Sequence, residues 1–325
     1  MRWGVVGTGG IAATVSADLA LTPGAVLQAV CSRDAGRAAQ FARRHGYRST
    51  HTDVRALAQN PDVDVVYVAT PHASHAISAR TAIEAGTPVL VEKPFTASGP
   101  TAQALVTLAR EQGVFCMEAM WTRFLPATSA LLDAVGSGAI GEVRSLHASI
   151  GTVAAADGPA RLLDPSAGGG ALLDVGVYPL WWSHLLLGPV TSVAAAGELS
   201  PDGVDLLSGV LLRHERGGIS LISATLSSCA SAAVVLEGRT GRLNVDAPAW
   251  SPQGFEVRSA GGAAARSPVP APPGRGYVPM LEHVQDCLAQ GLSESPAHPL
   301  ASTLAVMTVL DTALDQLRVV RAQEF

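Results

Sequence analysis

The chain has 325 residues, 48% of them hydrophobic and 15% charged, with a net charge of -5. That length allows two domains with full cores, and the composition excludes a disordered chain and argues against nucleic acid or another polyanion as partner. Strand-forming residues start at Arg2 and no run of about 18 apolar residues occurs, so neither a signal peptide nor a membrane span is expected; the scattered cysteines Cys31, Cys116, Cys229 and Cys287 show no metal or redox spacing and point to a reducing cytoplasm.

In chain order, Trp3 to Val6 predicts an apolar strand, Ile11 to Leu21 a helix, Ala25 to Cys31 a strand and Asp34 to His45 a helix with a capping acid. Val63 to Ala69 is a valine-rich buried strand, followed by a helix over about Ala73 to Ala85. A short strand then runs from Pro88 into Lys93, with a helix over Thr101 to Gln112 and a strand over Val114 to Glu118. Strands alternating with crossover helices imply a parallel, doubly wound α/β sheet. Beyond residue 120 the rhythm changes. Strand-like segments at Val143 to Ile150, Val190 to Ala196, Leu206 to Leu212, Ile219 to Leu226, Ala233 to Leu236 and Phe255 to Ser259 predict a second, α+β domain with a large, mostly antiparallel sheet. Ala171 to Leu187 reads as a core helix holding Trp181, Trp182 and His184, Gly261 to Gly276 as one exposed loop, and Tyr277 to Gln290 and Ala301 to Arg321 as closing helices.

The first chemical signal is Gly7-Thr8-Gly9-Gly10-Ile11-Ala12, a G-x-G-x-x-A turn between a strand and a helix. Glycines there permit a tight turn and close backbone approach to a pyrophosphate at the positive end of the helix. At the end of the second strand stands Cys31-Ser32-Arg33-Asp34. Ser32 can donate to a phosphate and Arg33 can pair with it, which favours NADP over NAD. A strand one or two residues longer would instead make Asp34 the acid that receives the ribose hydroxyls; otherwise Asp34 caps the next helix.

The second is Glu92-Lys93-Pro94-Phe95. Ligands of open α/β sheets bind outside the carboxyl ends of the strands, and a proline disfavours the helical region for the residue before it. Lys93 thus has a direction toward the crevice, although the same residues also describe a strand ending in an ordinary charged turn. The third is Gly168-Gly169-Gly170 leading to Asp174, Tyr178 and Pro179. On a helix Asp174 and Tyr178 share a face, an arrangement suited to moving a hydroxyl proton; a tyrosine bonded to a nearby acid for packing explains the spacing equally. Pro179 would distort that helix.

Together these motifs resemble the glucose-fructose oxidoreductase and inositol dehydrogenase (Gfo/Idh/MocA) family across nearly the whole chain. Met117 to Phe124 and the tyrosine at position 178 are most similar to its branch of dimeric dihydrodiol dehydrogenases and NADP-dependent D-xylose dehydrogenases. The resemblance implies a dinucleotide-binding Rossmann domain over residues 1–120 and a substrate-binding and dimerisation domain over 121–325. It implies Lys93 and Tyr178 as the catalytic pair, Asp174 supporting the substrate, Trp121 lining the pocket, and Pro94 as a cis proline. Thr70, Pro71 and His72 would border the nicotinamide, with Glu92 also beside the cofactor. A phenol titrates near 10, and a lysine cation about 4 Å away at an effective dielectric of 20 favours the phenolate by about 4 kcal/mol, enough to bring it toward neutrality.

Arg123 reads either as a substrate contact or as the partner of Glu92 or Glu118. His75 reads as a helix-surface residue. His72 and His75 have a conceivable metal spacing, but no carboxylate or cysteine cluster accompanies them, so no metal is expected. The branch carries aromatic residues after Trp121, whereas this chain has Ile150, Val153 and Ala154-Ala155-Ala156-Asp157-Gly158, which weighs against an aromatic diol. The expected partner is a small sugar or other hydroxy or carbonyl compound, with aldose oxidation favoured, and the second sheet offers a face for a homodimer or higher homo-oligomer. Two other readings stay open: a hydrolase or lyase that retains NAD, and a catalytically silent regulator that senses NADP.

Overall fold

The computed structural model describes residues 1–154 and 160–323. The chain forms two compact units, Met1–Phe124 with Pro272–Thr303, and Leu125–Ala271 with Leu304–Phe325. A division at residue 120 leaves 272–303 with the second part of the chain, whereas by contacts that segment belongs to the first unit.

In the first unit, strand and helix alternate as β1 (Arg2–Val6), α1 (Gly10–Leu19), β2 (Val26–Cys31), α2 (Ala35–His45), β3 (Ser49–His51), α3 (Val54–Ala58), β4 (Val65–Val68), α4 (His75–Glu84), β5 (Val89–Glu92), α5 (Gly99–Gln112) and β6 (Cys116–Ala119). All six strands are parallel, in the order β3-β2-β1-β4-β5-β6. This order reverses direction between β1 and β4, which is where ligands of such sheets bind. The sequence reading omitted β3 and α3. β3 is three residues long with little apolar character, and the usable signal was Asp53, whose side chain caps α3 by accepting from the Ala56 amide at 2.8 Å.

The second unit contains α6 (Pro126–Gly136), β7 (Val143–Gly151), α7 (Val177–Leu187), β8 (Val190–Leu199), β9 (Asp205–His214), β10 (Ile219–Thr225), β11 (Ala233–Gly238), β12 (Gly241–Val245), β13 (Gly254–Ser259) and β14 (Ala264–Pro268). Its eight strands run in the order β14-β13-β12-β11-β7-β10-β9-β8, antiparallel except for the parallel pair β7 and β10. β14 corrects the expectation of a single loop from Gly261 to Gly276. The strand sits at the sheet edge, where small residues and a terminal proline are tolerated because only one side must pair.

One face of this sheet is dry, with Val210, Ile222, Ala148, Val234, Val245 and Phe255 aligned across six strands and buried. The other carries Ala194, Leu211, Leu221, His147, Val235, Asn244, Glu256 and Arg266 in one row. The long helix α9 (Leu300–Gln323), preceded by α8 (Val278–Ala289), closes the open edge at β8: Gln316 donates to the Val193 carbonyl at 2.9 Å and accepts from the Ala195 amide at 2.7 Å.

A buried acid ties the start of the α8 segment to the first unit. Asp18 of α1 is 1% exposed and accepts the Arg275 amide at 2.9 Å and the Tyr277 amide at 2.8 Å. Tyr277 then stacks on Trp121, ring centroids 4.6 Å apart. No helix among the described residues is long and apolar enough to cross a membrane.

Candidate active site

The turn after β1 has the shape a pyrophosphate needs. Gly7 has φ +116 and a Cβ there would lie 2.5 Å from the Ala69 carbonyl, so a side chain is barred both by conformation and by the adjacent end of β4. A Cβ at Gly9 or Gly10 would meet nothing within 4 Å, which leaves that side of the turn open. The N-terminus of α1 has no capping side chain and no acid in its first turn, so its amide donors suit an anion. Thr8 and Ile11 flank this turn and are half-buried. The Thr70 hydroxyl, at the end of β4, is buried without a hydrogen-bond partner, a group that a bound ligand would satisfy. These features fit a dinucleotide.

At the end of β2, Asp34 is the N-cap of α2 and accepts the Arg37 amide at 2.8 Å. Arg33 is exposed and Ser32 half-exposed beside it.

Lys93 is half-buried immediately after β5, and its bond to Pro94 is cis. Glu92, 3% exposed, accepts from the Tyr67 hydroxyl at 2.5 Å and from the Lys93 amide at 3.1 Å, so both its oxygens are engaged inside the protein. Burial pushes its carboxyl up to about 7, against the opposing effect of these donors and of Lys93. Pro71 is exposed, His72 is buried, and the His72 ring meets the His75 ring edge-on at 5.7 Å.

His75 is a correction to the sequence reading. It is 1% exposed, with Nδ1 2.8 Å from the Pro94 carbonyl and Nε2 2.8 Å from the Thr70 carbonyl. A helix start that would ordinarily be a surface position lies here beneath two loops, which hydrophobic periodicity does not register. Glu118, on β6, accepts from the Phe95 amide at 3.1 Å.

Arg123 pairs with neither acid among the described residues: its Nε donates to the Ala297 carbonyl at 3.0 Å, and burial pulls the guanidinium downward. Trp121 is 6% exposed and lies against Tyr277.

In the second unit, Asp174 and Tyr178 are not on one regular helix. Leu172–Gly176 is a π-helix that runs directly into α7. Pro179 lacks the amide that would bond back to the preceding turn, and the wider π turn absorbs the conflict, a device frequent at functional sites. Asp174, its side chain 15% exposed, pairs with Arg161 at 3.2 Å. Tyr178 is 6% exposed, with the Trp250 ring 6.3 Å away. Trp181 and Trp182 are core, the latter donating its Nε1 to the Ala249 carbonyl at 2.9 Å.

Asp205, which no motif announced, anchors this segment. It accepts the Leu172 amide at 2.8 Å and the Ser208 hydroxyl at 3.0 Å, and burial pushes it up to about 6. Gly170, φ +129, has the Asp205 carboxylate where its Cβ would be. The one available signal was an acid opening an otherwise apolar alternating strand. Ile150 is buried and Val153 is 51% exposed, while Ala155, Ala156, Asp157 and Gly158 lie outside the described residues.

The glycine turn and the strand order define a dinucleotide-binding Rossmann unit. Residues 1–120 match the model of an oxidoreductase family with an NAD-binding Rossmann fold, and residues 128–244 match the Gfo/Idh/MocA C-terminal domain. The chain belongs to the Gfo/Idh/MocA family, on its dihydrodiol dehydrogenase branch. It is 32% identical over 323 residues to trans-1,2-dihydrobenzene-1,2-diol dehydrogenase of Bos taurus, covering 96% of this chain and 95% of that one. The Homo sapiens protein of the same name is 32% identical over 324 residues, with the same coverage. Among solved structures, a 3-ketoreductase from Actinomadura kijaniata in complex with NADP and TDP-benzene is similar at TM-score 0.86 and 28% identity, over 98% of this chain and 97% of that one. Levoglucosan dehydrogenase, in complex with NADH and levoglucosan, shares the fold at TM-score 0.88 and 22% identity, over 98% of this chain and 97% of that one.

Proposed function

We propose that the protein is an NADP-dependent dehydrogenase or reductase acting on a sugar or other small hydroxy or carbonyl compound, with aldose oxidation at the anomeric carbon favoured. The observation that carries the cofactor choice is Asp34. Its carboxylate is spent on the α2 N-terminus, which leaves Ser32 and Arg33 as the polar groups at the end of β2. Gly7, Thr8, Gly9, Gly10 and Ile11 would hold the pyrophosphate, and Thr70, Pro71 and His72 would border the nicotinamide, with Glu92 supporting from within. Bound NADP supplies or accepts the hydride.

On the protein's side, Tyr178 exchanges the hydroxyl proton of the substrate. A nearly buried phenol needs a neighbouring cation to become a base near neutrality, and that is the role given to Lys93. Asp174, oriented by Arg161, accepts from a substrate hydroxyl, with Trp121 lining the pocket and Arg123 bordering it. The dihydrodiol dehydrogenase and 3-ketoreductase names of the relatives support a hydroxy or carbonyl substrate. Free thiols at Cys31, Cys116, Cys229 and Cys287 suit a reducing cytoplasm.

A screen of aldoses, diols and dicarbonyls with NADP(H) and NAD(H), in both directions, tests the reading. Turnover of an aldose with NADP is expected, with NADP bound more tightly than NAD. Tighter NAD binding would overturn the assignment of Ser32 and Arg33. Copurified cofactor without net NADPH would favour the NAD-retaining hydrolase or lyase, and silence with every compound the NADP-sensing regulator.

The outward face of the eight-stranded sheet supports self-association. Leu207, Leu211, Ile219 and Leu221 are each more than a third exposed there, among small residues such as Ala194, Ala196 and Gly209. Sedimentation is expected to show a dimer, and Leu221→Arg a monomer.

A further inference from the structure

Residues 93, 94 and 95 each have one main-chain polar group within hydrogen-bond distance of a buried ionisable side chain. The Lys93 amide donates to Glu92 at 3.1 Å, the Pro94 carbonyl lies 2.8 Å from His75 Nδ1, and the Phe95 amide donates to Glu118 at 3.1 Å. These side chains come from β5, the start of α4 and β6, and none is more than 3% exposed. Each has a further anchor. His75 Nε2 faces the Thr70 carbonyl at 2.8 Å, and the second Glu118 oxygen takes His298 Nε2 at 3.1 Å and the Thr303 hydroxyl at 2.9 Å.

Stability does not explain this collar. Withdrawing ionisable groups from water is costly, and apolar residues of equal volume often do as well or better. What polar anchors provide is direction: they hold a main chain in one place where apolar packing would tolerate several. Burial draws His75 down to about 4, so at neutral pH the ring is neutral and carries one N–H between two carbonyls. That single N–H donates to one carbonyl at a time, that of Pro94 after β5 or that of Thr70 after β4.

We propose that His75 and Glu118 are positioning residues for Lys93, gripping the Pro94 carbonyl and the Phe95 amide so that the ammonium leaves the strand in one fixed direction. The proposal rests on the role given to Lys93 above. Among the described residues, the titratable groups at this loop are His75 from the start of α4, Glu92 from β5 and Glu118 from β6, with Tyr67 from β4 bonded to Glu92, His298 from the stretch before α9 bonded to Glu118, and the His72 ring against that of His75. Lys93 is the cation among them, and its placement decides how strongly it lowers the proton affinity of the acid/base group.

The test compares the pH profile of oxidative turnover in His75→Phe, Glu118→Leu, Glu118→Gln and Lys93→Met, with NADP affinity and Tm measured alongside. His75→Phe and Glu118→Leu are expected to lower kcat by about tenfold to a hundredfold. They should also shift the basic limb upward by about half a unit or more, toward that of Lys93→Met, with NADP affinity within about twofold of the parent. Glu118→Gln keeps an acceptor for Phe95 and should restore most of the profile. If His75→Phe fails to fold, the Glu118 pair decides. A folded Glu118→Leu with the parent's kcat and basic limb, lower only in Tm, while Lys93→Met has lost turnover, would overturn the proposal and leave Lys93 standing. Normal turnover in Lys93→Met would remove the reading beneath it and the proposal with it.

Discussion

The two segments that carry the candidate chemistry are built differently. The Lys93 loop follows a regular buried strand and is held through its backbone by side chains from neighbouring elements, His75 and Glu118. The Tyr178 segment is irregular in itself: a glycine turn without room for side chains, a π-helix and a proline, fixed at its start by Asp205. Yet both use one device, a buried carboxylate accepting a main-chain amide near a candidate residue, that of Phe95 after Lys93 and that of Leu172 before Asp174. A charge acceptor inside the protein is a strong hydrogen-bond partner and tolerates little displacement. The difference lies in what each segment can absorb. The strand-borne loop depends on distant side chains, whereas the helix-borne tyrosine depends on local backbone shape.

Substitutions can break this contrast. The largest effect is expected from Tyr178→Phe, which removes the hydroxyl proposed to exchange the proton and keeps the packing against Trp250. Turnover should fall by about a thousandfold with NADP affinity within about twofold, as measured by steady-state kinetics and fluorescence titration. Normal turnover would refute the role of Tyr178. Next is Gly170→Ala, which places a methyl on the Asp205 carboxylate at a left-handed φ. A loss of about 4 kcal/mol in unfolding free energy is expected, combining backbone strain and overpacking. A stable, active Gly170→Ala variant would show that the glycine turn is not locally determined.

The smallest effect sharpens the comparison through pH. Glu92 is raised from 4.5 to about 7, so the folded state holds its proton more tightly than the unfolded chain does. Its contribution is fully present below about 4.5 and is lost as pH rises through about 7, by at most about 3 kcal/mol. Glu92→Gln removes that slope, and denaturation at pH 5 and pH 8 should differ less in the variant than in the parent. His75 runs the other way: depressed from 6.5 to about 4, it contributes above 6.5 and loses that contribution as pH falls through about 4. An unchanged slope in Glu92→Gln would mean that another group, such as Asp205, dominates this window.

The first unit was legible because its elements are local. Apolar strands, glycine turns and the Asp34 cap each announce themselves within a few residues, and alternation with helices fixes a parallel sheet. The candidate residues Lys93, Asp174 and Tyr178 stood out for the same reason, each beside a proline or a glycine run. The edge strand β14 did not, since its alanines and proline carry no strand periodicity and it exists only because β13 offers it a partner. The return of residues 272–303 to the first unit was equally hidden, resting on pairs far apart in the chain, such as Asp18 with two amides some 260 positions later, Arg123 with the Ala297 carbonyl, and Glu118 with His298 and Thr303.

By itself, then, the sequence determined the order of most of the elements, though not β3, α3 or β14, the dinucleotide turn and the residues chemically suited to moving a proton, because backbone propensity and side-chain chemistry are written residue by residue. Only the tertiary structure decided that His75 is buried between two loops, that Glu118 and Asp205 hold main-chain amides, and that the Asp174 turn is a π-helix. Those outcomes depend on which distant groups share a volume from which water has been excluded. There a polar atom must find its partner wherever the fold has put it.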